Sequence, residues 1–226
     1  MALGGVQVLS HLVSRPWLKS AGRAKPLLAA CVALGLAGQA DAIQVRQAPQ
    51  GAGSAVVPVT SQALPPLAHV RFCMAYPGEC APTRNRRALR RSEQDLLSEL
   101  VLVNLSVNRE ITPKADNDAA FGGDDWQLYA QQGDCEDYAL MKRKLLIDRG
   151  WDSSQLRIAT ALTPEGIGHA VLVARIGHRD VVLDNLSLSV RPWQETGYRF
   201  LKIQSDRDPT AWFNVAETVI GGRRLS

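Results

Sequence analysis

Between residues 92 and 113 the apolar positions recur at helical spacing. Leu96, Leu97, Leu100, Val103 and Val107, with Asn104 among them, fall on one side of a predicted helix. Ser92 is placed to cap it, Glu93 and Asp95 fill its first turn, and Pro113 stops it. A second helix is predicted from about Cys135 to Asp148, closing at Gly150. Tyr138, Leu145 and Leu146 supply its apolar contacts, while Lys142, Arg143 and Lys144 are expected to face solvent. The period then changes to two. "LRIATAL" (156–162), "HAVLVARI" (169–176), "DVVLD" (180–184) and "YRFLKIQ" (198–204) predict four strands of a mainly antiparallel sheet. Helices first and strands afterwards predict an α+β domain.

Outside that block the pattern weakens. Residues 43–66 are rich in Gln, Ala, Gly, Ser and Pro and read as a flexible linker, and residues 209–226 as a C-terminal tail. Residues 1–42 read as a secretory signal. Arg15, Lys19, Arg23 and Lys25 precede the uncharged run "PLLAACVALGLAG", and "ADA" at 40–42 offers small residues for cleavage. The run is shorter than the roughly 20 residues a stable membrane anchor needs. Cys31 in "LAAC" is not read as a lipidation site, because the apolar run continues past it.

Charge is informative once that leader is set aside. It holds four of the 26 Lys and Arg and one of the 22 Asp and Glu, so residues 43–226 carry a net charge of only +1. A nucleic-acid partner is not implied. The arginines of "RNRRALRR" (84–91) read as a solvated helix start rather than a docking patch. Export implies an oxidising compartment, so Cys73 and Cys80 in "CMAYPGEC" are a candidate disulfide and Cys135 is left alone.

Cys135 sits in "GDCEDY" at the start of the second helix, where unpaired backbone N–H groups favour a thiolate. A thiolate enzyme also needs a base and a group to orient it. In an antiparallel hairpin, opposite residues have numbers of constant sum. A turn centred near Ile176–Gly177 gives a sum near 353, which pairs His169 with Asp184 on one face. Cys135, His169 and Asp184 are therefore the candidate catalytic residues. Structural zinc on Cys, His and Asp is the rival, but it prefers four ligands with closely spaced pairs, which the chain lacks.

"GDCEDYALMKRKLLIDRGW", "GHAVLVAR", "VLDNL" and "PWQETGYRFLKIQS" together resemble the bacterial transglutaminase-like cysteine proteinase family, from "FCMAYPGEC" onward over roughly residues 70–208, within a peptidase domain expected at 67–208. The resemblance implies a papain-like or transglutaminase-like fold, a triad at Cys135, His169 and Asp184, and periplasmic cleavage of a protein substrate such as a surface adhesin. By the same analogy an inner-membrane receptor is a regulatory partner. Asp134, Glu136 and Asp137 would oppose ionisation of a neighbouring thiol. They could simply cap the helix and face away; alternatively a calcium ion cancels their charge. The resemblance implies the calcium reading, with Asp134, Glu136 and Asp137 as ligands. The loop "WQLYAQQGDC" (126–135) is shorter than in the better-known adhesin-releasing members. The same triad would serve a transglutaminase or deamidase, and a non-catalytic calcium-dependent binding module is the reading from another class.

Overall fold

The computed structural model describes residues 54–84, 91–115 and 124–217, together with the backbone of two short strands at 219–220 and 223–224. The expected signal segment, the first part of the expected linker and most of "RNRRALRR" lie outside the described residues. In chain order the elements are β1 (Val59–Ala63), α1 (Leu67–Ala75), α2 (Glu93–Glu110), β2 (Thr112–Pro113), β3 (Gln132–Gly133) and α3 (Cys135–Asp148). Then follow β4 (Leu156–Leu162), β5 (Gly168–Ile176), β6 (Arg179–Asp184), β7 (Ser187–Pro192), β8 (Arg199–Gln204), β9 (Trp212–Val215), β10 (Val219–Ile220) and β11 (Arg223–Arg224). Seven strands make one antiparallel sheet in the order β1-β9-β8-β4-β5-β6-β7. With the three α-helices of the described residues, the domain is α+β.

Both long helices form for the reasons their sequences suggest. Ser92 caps α2 by accepting the Asp95 N–H at 3.1 Å, and Leu96, Leu100, Val103, Asn104 and Val107 are its buried face. α3 closes where Gly150 takes a positive φ of 95°, letting Trp151 N–H reach back to Leu146 O at 3.1 Å. Side chains from both helices join Leu172, Ala174 and Ile176 of β5 and Val181 and Leu183 of β6 in one core. The intervening Val171, Val173 and Val182 belong to a second core with Trp193, Tyr198 and Phe200. That alternation is the pleat's.

Two basic side chains of α3 depart from expectation. Lys142 is fully buried and Arg143 nearly so. Arg143 is drawn inward by the Leu156 and Glu79 carbonyls, at 3.2 and 2.8 Å. Lys142 lies 5.7 Å from the centre of the Tyr138 ring, and burial lowers its pKa to about 7 although Asp184 pulls it upward.

The expected linker and tail also contribute structure. β1 and β9 pair at one end of the sheet. The segment before β1 is fastened to Asp180, whose carboxylate accepts Val57 N–H at 2.8 Å and is paired with Arg157 and Arg175. Cys73, in the last turn of α1, is joined to Cys80 by a disulfide, with Cα atoms 5.6 Å apart.

Candidate active site

Cys135 is the first residue of α3, and its sulfur accepts the Ala170 N–H of β5 at 3.2 Å. The β5–β6 ladder begins at Leu172↔Leu183, so Gly168 to Val171 extend past it, and α3 meets β5 there. The pairing sum is 355 rather than 353, because the turn is made by Gly177, at φ 55°, and His178. The slip is two residues, which preserves the face. His169 and Asp184 are therefore diagonal neighbours on the side of Val171 and Val182, and His169 Nε2 donates to Asp184 Oδ1 at 2.8 Å.

Asp184 is held from several directions. Oδ1 also accepts Leu186 N–H at 3.0 Å, and Oδ2 accepts the Tyr198 hydroxyl at 2.5 Å. Burial alone would raise its pKa. The bonds from His169, Tyr198 and the Leu186 N–H outweigh burial and hold the carboxyl below the usual range. Asn104 and Asn108 of α2 fix the backbone, accepting Asp184 N–H at 3.1 Å and donating to Asp184 O at 2.9 Å. Neither Tyr198 nor the two asparagines stood out as functional in the sequence.

Cys135, His169, Asp134 and Glu136 line one cleft of about 750 Å³, with Asp124, Trp126, Ile167 and Gly168. Among the described residues the hydrogen bonds of Cys135 Sγ run to Ala170 N and to Glu136 Oε2, the latter at 3.3 Å, and not to His169. Burial, then Glu136, push the thiol pKa far up; the Ala170 N–H works the other way, and Asp134 adds to the rise.

The acids are not arranged as helix caps facing solvent. Asp134 occupies the N-cap position without a side-chain capping bond, and Glu136 and Asp137 are both buried. Glu136 meets the carboxylates of Asp134 and Asp124; burial and those contacts push its pKa up to about 10. Its Oε1 is sealed from solvent without a hydrogen-bond partner among the described residues. A buried carboxylate facing two others needs either a shared proton or a cation. Ligand atoms of Asp134, Cys135 and Glu136 lie within 4.8 Å of one another, and the surplus of oxygen donors suits a hard divalent cation. Asp137 is placed differently: its Oδ1 accepts Gln127 N–H at 2.7 Å, pinning the loop that carries Asp124. Asp124 is an addition to the expected acids. It accepts Trp126 Nε1–H at 3.0 Å, an orientation that only the folded loop reveals.

A helix-opening cysteine and an imidazole lining one cleft of an α+β domain, the imidazole bonded from behind to a buried carboxylate, are the furniture of a thiol hydrolase. The model of the bacterial transglutaminase-like cysteine proteinase family, BTLCP, matches residues 59–219; the chain belongs to this family and is a cysteine peptidase. Solved structures of Legionella pneumophila LapG are similar to it. The calcium-bound form is 23% identical, covering 54% of this chain and 70% of that one, with a TM-score of 0.44. An EGTA-treated form is 22% identical over 57% and 70% of the two chains, with a TM-score of 0.46. No curated protein matches the chain.

Proposed function

We propose that this peptidase is exported and acts through Cys135, His169 and Asp184, with calcium as its cofactor and a cell-surface adhesin as its substrate class. The observation that carries the triad is the 2.8 Å bond between His169 and Asp184 at the cleft that also holds Cys135. With Nε2–H committed to Asp184, the basic nitrogen of the neutral imidazole is Nδ1. Nδ1 takes the Cys135 proton and the thiolate attacks the scissile carbonyl carbon. The Cys135 backbone N–H, one of those that a helix start leaves without an intrahelical partner, donates to the developing oxyanion. The C–N bond then breaks, the amine leaves with the proton from His169, and a thioester remains. Water gives a proton to His169 and hydrolyses the thioester, returning the thiol.

Asp134, Glu136 and Asp124 are the residues that would hold calcium, with backbone carbonyls or water completing the shell; Asp137 keeps the Asp124 loop in place. When bound, calcium neutralises the acids beside Cys135 and so removes their opposition to its ionisation. The export and adhesin parts rest on the leader sequence and on the family resemblance. The test compares the surface-bound and secreted proteins of a deletion strain complemented with the native chain or with Cys135→Ala. A large polypeptide shed only by the native chain supports this reading, and identical fractions remove the adhesin.

A further inference from the structure

We propose that Tyr198 is a positioning residue of this site: its hydroxyl occupies one oxygen of Asp184 so that the other stays aimed at His169, and its ring limits the swing of the imidazole. The inference rests on the catalytic reading above. Tyr198 immediately precedes β8 and is buried in the core on the His169 side of the sheet. Its hydroxyl donates to Asp184 Oδ2 at 2.5 Å, while the ring meets His169 edge-on, with centroids 5.4 Å apart and planes at 80°. One side chain thus touches both the acid and the base. It does not line the cleft beside Cys135, so it orients the machinery without touching substrate.

The local chain is built to hold it there. Gly197 takes a positive φ of 74°, and a Cβ on it would sit 3.6 Å from Pro164. Tyr198 N–H donates to Thr196 Oγ1 at 3.2 Å, and that hydroxyl donates to Trp193 O at 2.8 Å. A carboxylate with a free oxygen can rotate about its Cα–Cβ and Cβ–Cγ bonds; one pinned at both oxygens cannot. The charged and titratable groups around the pair are His169 of β5, Lys142 of α3, and Arg191 and Glu165 towards Tyr198. None of them duplicates the Tyr198 hydroxyl bond to Oδ2.

The test follows turnover of p-nitrophenyl acetate by the full chain in millimolar calcium. The Cys135 thiolate displaces p-nitrophenolate from the ester, and water then cleaves the acetyl thioester with His169 as base. Cys135→Ala is the control for the catalytic reading: if it turns over the ester as fast as the native chain, that reading falls, whatever Tyr198 does. Tyr198→Phe keeps the ring and removes the hydroxyl. The expected result is a fall in kcat of about ten- to a hundredfold, the loss of one charge-assisted hydrogen bond, with KM within about twofold. The imidazole N–H proton resonance of His169 should move as Asp184 loses its second donor. An unchanged kcat with an unmoved imidazole proton overturns the proposal, as does a fall no larger than the fraction unfolded. Should Tyr198→Phe fail to fold, the native chain decides: its proton spectrum should contain a slowly exchanging Tyr198 hydroxyl, and its absence overturns the proposal.

Discussion

Asp137 occupies the space that a side chain on Gly133 would need. A Cβ at Gly133 would lie 2.0 Å from Asp137 Oδ2 and 2.8 Å from its Cβ. The glycine two residues before the nucleophile is there because the acid two residues after it folds back over the chain. With Asp137 also accepting the Gln127 N–H, these two residues tie β3, the head of α3 and the Asp124 loop together.

Gly133→Ala should therefore destabilise the domain by about 1–3 kcal/mol through overpacking. For a domain of this size that lowers the melting temperature by several degrees. It should also weaken calcium binding, since Asp137 cannot move without releasing the Asp124 loop. A variant with native melting temperature and native calcium response contradicts the close approach.

Glu136→Gln should act in opposite directions with and without calcium. Glu136 is buried against Asp134 and Asp124, so an amide that can donate to either acid should raise the melting temperature in EGTA. The same change removes one of the proposed calcium ligands. The native chain should gain about 2.7 kcal/mol at a hundredfold excess of calcium over its Kd, and the variant should gain much less. Equal calcium shifts in the two proteins would remove Glu136 from the ligand set.

His69 should govern part of the acid sensitivity of the fold. It is on the buried side of α1, facing β9, where Trp212 Nε1–H donates to its Nδ1 at 3.2 Å, a bond that an imidazolium could not accept. Burial first, then Arg143, lower its pKa to about 4. Between that value and its unfolded value near 6.5 the unfolded chain binds a proton that the folded chain does not. Stability from this group is therefore complete above pH 6.5 and is lost as pH falls, by about 3 kcal/mol at pH 4. Urea unfolding of the native chain and of His69→Asn at pH 7 and pH 4.5 measures it. The variant should be less stable at pH 7, and the gap should narrow at pH 4.5; a constant gap contradicts the assignment.

The legible parts of the fold were those with long local patterns. α2 and α3 announce themselves through caps, spacing and terminal glycine or proline. The four strands from Leu156 to Gln204 announce themselves through alternation or apolar runs. Parity alone put His169 and Asp184 on one face, so a two-residue error in register did no harm. α1 was missed because Leu67, Val70 and Met74 are exposed apolar residues, while the buried side includes His69, whose partners Trp126 and Trp212 are distant in sequence. β1 was missed because four of its five residues are exposed and nothing alternates. Lys142 was assigned to solvent by residue type, though its helical position carries it beneath Tyr138 and Asp184. Asp124 had one available signal: calcium needs more oxygens than "GDCEDY" supplies, and the "DDW" acids are close in sequence. Tyr198 had none, because its bond to Asp184 depends on how two separate strands are brought together.

Cys135 should become a nucleophile when His169 can take its proton and the neighbouring acids are neutralised. The direct measurement is the rate of Cys135 alkylation by iodoacetamide between pH 5 and 10, in calcium and in EGTA, for the native chain and for His169→Ala. Alkylation should be rapid near neutral pH in calcium and slow in EGTA, and should return to ordinary thiol behaviour in His169→Ala. An ordinary thiol profile in every condition, unaffected by calcium or by the loss of His169, would contradict it.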